Sequence, residues 1–182
     1  MNYLLKKRID TSRLYLRPIE WSDVDAIHEY ASDQNITMML FLPNEIIEET
    51  KGFVSHVVSQ WNKVEPECLE YVIILKETEK VIGGIGIEYL EDRSVCEIGW
   101  VLHKEYRNNG FTSEAAVALM EFAFNELLVQ KVIAHCDSRN ISSEKVMQKI
   151  GMTLIDHTGT RYYPKNNVTS GEYLYEIRKK SE

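Results

Sequence analysis

The residues that most clearly predict chemistry form a short turn, residues 107–113, between an apolar segment and a helix-like segment. Gly110 would let the backbone turn tightly and approach a ligand closely. The first turn of the following helix has N–H groups without internal partners, and together with the helix dipole they favour an anion. Arg107 would add a forked, permanently charged donor. The turn therefore predicts a phosphate site, with an ordinary capped strand-to-helix turn as the alternative.

The spacing within this turn excludes two familiar phosphate loops. It lacks the Gly-Lys-Ser/Thr ending of a P-loop, and no Gly-x-Gly-x-x-Gly dinucleotide fingerprint follows the preceding strand.

One carboxylate close to the turn is a candidate general base. Glu97 lies in the otherwise apolar run Val95–Leu102, which is short and bounded like a buried strand. Burial would raise its pKa toward a value useful for proton removal. A solvated or salt-bridged Glu97 on a sheet face is the alternative, since ion-pair networks also perturb pKa values.

These groups must be positioned by the elements around the turn. Residues 113–128 predict a mostly buried helix, and residues 131–136 a strand parallel to Val95–Leu102, because a helix-length crossover separates the two. Residues 140–151 predict a further helix, with Asn140 as its N-cap and Gly151 as its stop.

The rest of the chain predicts a sheet with helices packed on it. Residues 12–19 alternate like a first strand, and helices are expected to start at Ser22 and Asn44 as N-caps. Residues 68–76 and 81–87 predict a hairpin whose three glycines need a large group against them. Residues 152–163 and 171–179 predict a closing antiparallel pair.

Length and composition indicate one globular domain over residues 1–182. No run approaches the roughly 18 apolar residues of a membrane helix. The first charges follow the few N-terminal apolar residues, the wrong order for a secretory signal, so we expect a cytoplasmic protein without a membrane partner.

Charge and potential metal ligands narrow the classes of partner. A net charge of −7 argues against nucleic acid and is compatible with cationic substrates, although simple solubility explains it equally well. Cys68, Cys96 and Cys136 lie far apart in strand-like runs and predict buried thiols. The five histidines form no His-x-x-x-His pair, so we expect no metal site.

Two motifs resemble one known family. Arg-x-x-Gly-x-Gly/Ala after a strand is the acetyl-CoA signature of the GNAT acetyltransferase superfamily, and here it is formed by Arg107, Gly110 and Thr112. The form Asn-x-x-Ser-x-x-Val-x-x-Lys-Ile/Leu-Gly-Phe matches Asn140, Ser143, Val146, Lys149, Ile150 and Gly151, with Met152 in place of Phe. Together they look most like the RimJ/RimL-like, ribosomal-protein N-acetyltransferase branch.

The resemblance covers about residues 12–178 and implies the GNAT fold, of α/β (α+β) class. Its mixed sheet has about seven mostly antiparallel strands, with a parallel pair splayed at the cofactor site, and about four flanking helices. It also implies acetyl-CoA as co-substrate, bound by Trp100, Val101, Leu102, Arg107, Asn108, Asn109, Gly110, Phe111, Thr112, Ser113, Asn140 and Ser143.

Individual roles follow from the same resemblance. Backbone N–H groups at Val101 and Leu102, where the strand bulges and splays, would stabilise the oxyanion. Ser143 would donate a hydrogen bond to the leaving sulfur, and Asn140 would contact the pantetheine arm as well as cap its helix. The resemblance places acidic residues or bound waters in the strand of Glu97, so the base would be Glu97, our choice from the residues, or a water chain.

We expect the acceptor to be a primary amine, and we favour the N-terminal α-amine of a protein or peptide. Loop residues Met38, Met39 and Phe41 would wall the acceptor site with apolar bodies, which suit a side chain next to an amine. A polyamine or aminoglycoside acceptor is the alternative. A noncatalytic acyl-CoA-binding module is another, because Thr112 stands where the family has Gly or Ala. A homodimer is compatible with these features.

Overall fold

The computed structural model describes residues 8–37, 43–90, 93–164 and 166–180. Its strands are β1 (Ile9–Asp10), β2 (Leu14–Pro18), β3 (Cys68–Leu75), β4 (Lys80–Tyr89), β5 (Val95–Leu102), β6 (Lys131–Asp137), β7 (Thr153–Tyr163) and β8 (Val168–Arg178). They form one sheet in the order β1-β2-β3-β4-β5-β6-β8-β7, in which only β5 and β6, among the described strands, pair in parallel. The mixed sheet with one parallel pair is thus confirmed, and the two-residue β1 is an addition to it.

Helices cover both faces of this sheet. They are α1 (Val24–Ala31), the single turn α2 (Gln34–Thr37), α3 (Ile47–Gln60), α4 (Phe111–Asn125) and α5 (Ile141–Lys149). α1 and α3 pack on each other and on β4 and β3. α4 packs on β2, β4 and β5 without an extended contact to α1 or α3 within the described residues, so it covers the opposite face. In the same part of the chain, no helix is long and apolar enough to cross a membrane.

Two of the predicted helix starts are wrong, because neither Ser22 nor Asn44 is the N-cap of a helix. Ser22 lies inside a short 3₁₀ turn, Trp21–Asp23, whose cap is Glu20; the Asp23 carboxylate accepts from the Glu20 N–H at 2.8 Å. Arg17 fixes that carboxylate with two hydrogen bonds of 2.8 and 2.7 Å, so a charged acceptor replaces the serine hydroxyl.

At the second start, the side chain of Asn44 donates to Thr50 Oγ1 at 2.9 Å instead of capping α3, which begins after Ile46. The side chain of Asn44 therefore fixes the loop to the helix at Thr50 rather than at the helix end. The predicted cap of α5 is confirmed, since Asn140 Oδ1 accepts from the Ser143 N–H at 3.1 Å.

Glycines leave one patch of the sheet without side chains on the α1 face. A Cβ on Gly84 would come within 2.9 Å of the Tyr30 hydroxyl, and one on Gly86 would overlap the Glu70 carboxylate. A Cβ on Gly99 would meet no atom within 4 Å. Large groups therefore do lie against the β3–β4 hairpin, as its glycines predict, and open space lies over β5.

The parallel strands β5 and β6 separate after a short pairing. Only three residue pairs join them, from Val95 with Lys131 to Glu97 with Ile133, although both strands continue. The register of β5 with β4 runs without a shift from Cys96 to Leu102, so the predicted bulge at Val101 is not part of this pairing. The splay alone opens the sheet beside the second half of β5.

Candidate active site

The turn before α4 has the geometry that its sequence predicts. Gly110 adopts a left-handed φ of +77° at the N-cap of α4, and Asn108 has a φ of +63°. The N–H groups of Phe111, Thr112 and Ser113 have no hydrogen-bond partner within the described residues, because the first helical bond is donated by Glu114. Three donors at the positive end of a helix therefore point away from the helix and are free to bind an anion.

These donors open onto a cleft of about 600 Å³, here called the anion cleft. Its lining includes every predicted cofactor residue except Asn109: Trp100, Val101, Leu102, Arg107, Asn108, Gly110, Phe111, Thr112, Ser113, Asn140 and Ser143. Asn109 turns away and donates to the carbonyl oxygens of Tyr106 and Arg107, so its side chain shapes the turn instead of lining the cleft.

The anion cleft also has basic residues to which the sequence analysis gave no role in binding. Arg139, Lys145 and Lys149 line it together with Arg107. Arg139 is held by the buried Asp137 through bonds of 2.9 and 2.7 Å. Although burial acts to raise the pKa of Asp137, the hydrogen bonds from Arg139 hold it well below its usual range. The cleft therefore combines several cations with the free helix donors, as a multiply phosphorylated ligand requires.

A further missed residue, Arg13, lies directly before β2 and contacts the turn from outside the anion cleft. Its guanidinium donates to the Asn109 carbonyl at 3.0 Å and forms a salt bridge of 2.7 Å with Glu114 in the first turn of α4. It also lies 4.5 Å from the centre of the Phe111 ring. No local sequence signal connects residues this far apart along the chain.

A second opening, of about 520 Å³, lies on the α1 face of the sheet and is here called the acidic cavity. Its carboxylates are Glu70, Glu88 and Glu97. Apolar side chains form most of the remaining wall, namely Ile19, Ile27, Tyr30, Phe53, Ile85 and Met147. This composition favours a ligand with a cationic group on an apolar body.

The two openings meet at Trp100, Val101 and Ser143, which line both of them. Ser143 is only 7% exposed, and its hydroxyl has no hydrogen-bond partner within the described residues. The Ser143 hydroxyl can therefore donate a hydrogen bond at the junction of the two openings.

The backbone of β5 directs alternate N–H groups toward this junction. The His103 N–H donates to the Ile82 carbonyl on β4 at 2.8 Å. With the two-residue period of an unshifted strand, Val101 also points its N–H at β4, whereas Trp100 and Leu102 point theirs into the gap left by β6. Of the two predicted oxyanion donors, Leu102 thus has the suitable direction and Val101 does not.

Glu97 is hydrogen-bonded to His135 in the acidic cavity, which is in line with the paired alternative that the sequence left open. His135 Nδ1 lies 2.9 Å from Glu97 Oε1, and this hydrogen bond raises the pKa of His135 against the opposite effect of burial. The Glu97 side chain is 35% exposed, so it also faces the open cavity. His135 is a site residue that sequence reasoning missed, because β6 brings it to Glu97 only in the folded sheet.

Three predicted acceptor residues, Met38, Met39 and Phe41, lie outside the described residues. Within the described ranges, no group of three or more His, Cys, Asp or Glu side chains could hold a metal ion. Cys96 and Cys136 are buried free thiols, whereas Cys68, which was also expected to be buried, is partly exposed. Burial raises the pKa of Cys96 to about 12.

A helix end with three free N–H donors, at a splayed parallel pair and joined to a second cavity, is suited to group transfer from a phosphorylated co-substrate. Residues 13–153 match the family model described as acetyltransferase (GNAT) domain. The chain belongs to this family and is an acetyltransferase enzyme, which uses acetyl-CoA.

Known proteins are similar to this chain over nearly its whole length. The uncharacterized N-acetyltransferase YnaD of Bacillus subtilis (strain 168) is 36% identical over 172 residues, covering 93% of this chain and 95% of that protein. An acetyltransferase of Salmonella typhimurium, which modifies the N-terminal serine of ribosomal protein L7/L12, superposes with a TM-score of 0.84 at 18% identity, covering 96% and 100% of the two chains.

A spermidine N-acetyltransferase of Vibrio cholerae, in complex with CoA and spermine, superposes with a TM-score of 0.79 at 18% identity, covering 92% and 96%. At such identities these two structures show the shared fold alone, and they act on different amines.

Proposed function

We propose that this enzyme transfers the acetyl group of acetyl-CoA to a primary amine by direct attack in a ternary complex. The main support for this proposal is that the anion cleft and the acidic cavity join at Ser143 and Val101, which line both of them. A phosphorylated co-substrate in one opening and a cation in the other would bring their reacting ends together there.

The chain's own groups account for each step of this transfer. Glu97, oriented by His135, takes one proton from the acceptor's ammonium group, and the neutral amine then attacks the thioester carbonyl. The Leu102 N–H stabilises the oxyanion as the C–N bond forms. The C–S bond then breaks toward the Ser143 hydroxyl, which hydrogen-bonds the sulfur. The proton left on the new amide nitrogen passes to the thiolate, so the charges balance.

We favour the N-terminal α-amine of a protein or peptide as the acceptor. The largely apolar wall of the acidic cavity suits the side chain next to such an amine. An α-amine, with a pKa of about 7.7–8.0, is also easier to deprotonate at neutral pH than a Lys side chain at about 10.4. A polyamine is the second candidate, favoured by the three carboxylates Glu70, Glu88 and Glu97 on this cavity.

The deciding experiment is an acceptor screen that follows free thiol release from acetyl-CoA. Peptides with free N-termini, spermidine and an aminoglycoside are compared at equal concentration. We expect the peptides to give the highest kcat/KM. Preference for a polycation would overturn the α-amine assignment. If no amine caused thiol release, the proposed transfer to amines would be wrong.

A further inference from the structure

We propose that Glu70 binds the acceptor in the acidic cavity, its carboxylate pairing with the substrate's ammonium group above Gly99. This inference rests on the proposed function and extends it, because it names the group that recognises the amine.

Strand register places Glu70 in line with the open part of the sheet. Glu70 on β3 pairs with Gly86 on β4, and Gly86 pairs with Gly99 on β5. Paired residues share a face of the sheet, so these three positions form one row across it. Since two of the three are glycines, Glu70 is the only one of these three positions that carries a side chain.

The Glu70 side chain reaches along this row toward β5. Its carboxylate occupies the space that a side chain on Gly86 would fill, because a Cβ built there would overlap it. The next position in the row is Gly99, where a Cβ would meet nothing within 4 Å. Neighbouring strands lie about 4.8 Å apart, so an ammonium group on the Gly86 side of the space above Gly99 can approach this carboxylate to hydrogen-bonding distance.

The same point lies between the groups proposed for catalysis. Along β5, Glu97 precedes Gly99 by two residues and Val101 follows it by two, and all three positions share one face. An amine held above Gly99 would therefore have the base Glu97 on one side. On the other side would be the junction with the anion cleft, at Val101 and Ser143.

In the described part of the chain, Glu70 differs from other enclosed carboxylates in having no partner. Asp23 is paired with Arg17, Asp137 with Arg139, and Glu97 with His135. Within the described residues, the Glu70 carboxylate accepts no hydrogen bond and forms no salt bridge, and Lys and Arg are not among its electrostatic neighbours. An enclosed carboxyl group without a cation is costly, and a substrate ammonium group would supply the missing charge.

The ionisation of Glu70 fits this role. Burial, and then the charge of Glu88, raises the pKa of Glu70 to about 8. The titratable groups around the cavity come from α1 and from strands β4 to β7: Tyr30, Glu88, Glu97, His135 and Arg161. Without a cation beside it, Glu70 therefore holds a proton more tightly than an exposed glutamate does. Arrival of an ammonium group favours the carboxylate, which releases one proton to solvent and forms an ion pair.

The test compares ligands with and without the ammonium group. The amine is the best acceptor of the screen, whether peptide, spermidine or aminoglycoside, and its mono-N-acetylated product is the matched ligand that lacks the reacting ammonium. Glu70→Gln should raise KM for the amine by about tenfold or more, the size of a lost charge-assisted hydrogen bond. KM for acetyl-CoA and the inhibition constant of the N-acetylated product should stay within about twofold.

Two further variants separate charge from position. Gly86→Ala should raise KM for the amine with all carboxylates present, because the new methyl group displaces Glu70. Glu88→Gln removes the same charge at an exposed site of the same cavity and should have a smaller effect.

An unchanged KM in Glu70→Gln, or an equal loss of affinity for the N-acetylated product, would overturn the assignment. Either result would leave acetyl transfer by the wild type intact, whereas absence of thiol release with every amine would instead refute the proposed function.

Discussion

His135 Nδ1 lies 2.9 Å from Glu97 Oε1, and the two residues sit on the parallel strands β5 and β6 where their pairing ends. Glu97 belongs to the last residue pair, and His135 follows Ile133 by two residues on the same face of β6. The hydrogen bond therefore links the strands at the start of their splay and aims a carboxylate into the acidic cavity.

Glu97→Gln is expected to lower kcat by about a hundredfold, since general bases contribute about 10²–10⁴. The acidic limb of the pH–rate profile should change, because the variant cannot accept a proton at this position. Steady-state thiol release across pH measures both effects. A variant with wild-type kcat at every pH would show that a water chain removes the proton instead.

His135→Gln should reduce stability in a pH-dependent way. Glu97 raises the folded-state pKa of His135 above its ordinary value of about 6.5, so the ion pair adds stability below that value. Its contribution is lost as pH rises through the raised pKa. Thermal melts should show a deficit of about 1 kcal/mol, or about 2–4 °C, in mildly acidic buffer and almost none in alkaline buffer. A deficit that is constant with pH would contradict the ion pair.

Gly110→Val should weaken acetyl-CoA binding by about tenfold or more while the protein stays folded. A Cβ there would lie 3.5 Å from Lys149 Nζ, an ordinary contact, so the left-handed φ of +77° is the constraint. A β-branched residue would move the turn away from that conformation. Calorimetric titration gives the affinity. Gly52→Val, on an exposed part of α3 with nothing within 4 Å, is the matched control and should bind normally.

Ser143→Ala should lower kcat by about tenfold and change acetyl-CoA affinity little, because its donor matters most as negative charge develops on sulfur. Ser142, an exposed neighbour that also lines the anion cleft, provides the control. Ser142→Ala should leave kcat unchanged. Equal losses of kcat in both variants would indicate a general disturbance of α5 rather than the role proposed for Ser143.

Sequence predicted well those features that contiguous residues determine. The left-handed Gly110 before α4, the Asn140 cap of α5 and the β3–β4 hairpin each depend on a few neighbouring residues, and all are present. The expected cap at Ser22 failed because Arg17 orients Asp23 as a charged competitor, a choice that composition at one position cannot show.

Features that depend on strand register were beyond prediction. The contacts of Glu97 with His135 and of Arg13 with Glu114 join residues 38 and 101 positions apart. In the sequence, Glu70 is one polar residue of a predicted strand. Only its pairing with Gly86 shows that its side chain extends across a glycine position toward β5. The direction of the Val101 N–H likewise follows from the unbroken β4–β5 register.

Gly84 and Gly99 line the acidic cavity, and Gly99 affects how the acceptor selectivity of this enzyme could evolve. Gly99 has an ordinary backbone conformation and nothing within 4 Å of a Cβ, so one added methyl group there would take volume from the substrate and strain no neighbour. Such a pocket can lose its larger substrates through single small mutations at little cost in stability. Recovering them requires restoring glycine, because no smaller residue exists. Among proteins that evolve from this one, substitutions at Gly99 would therefore narrow the range of acceptors. A broader range would have to arise from changes in the helices that pack above the cavity.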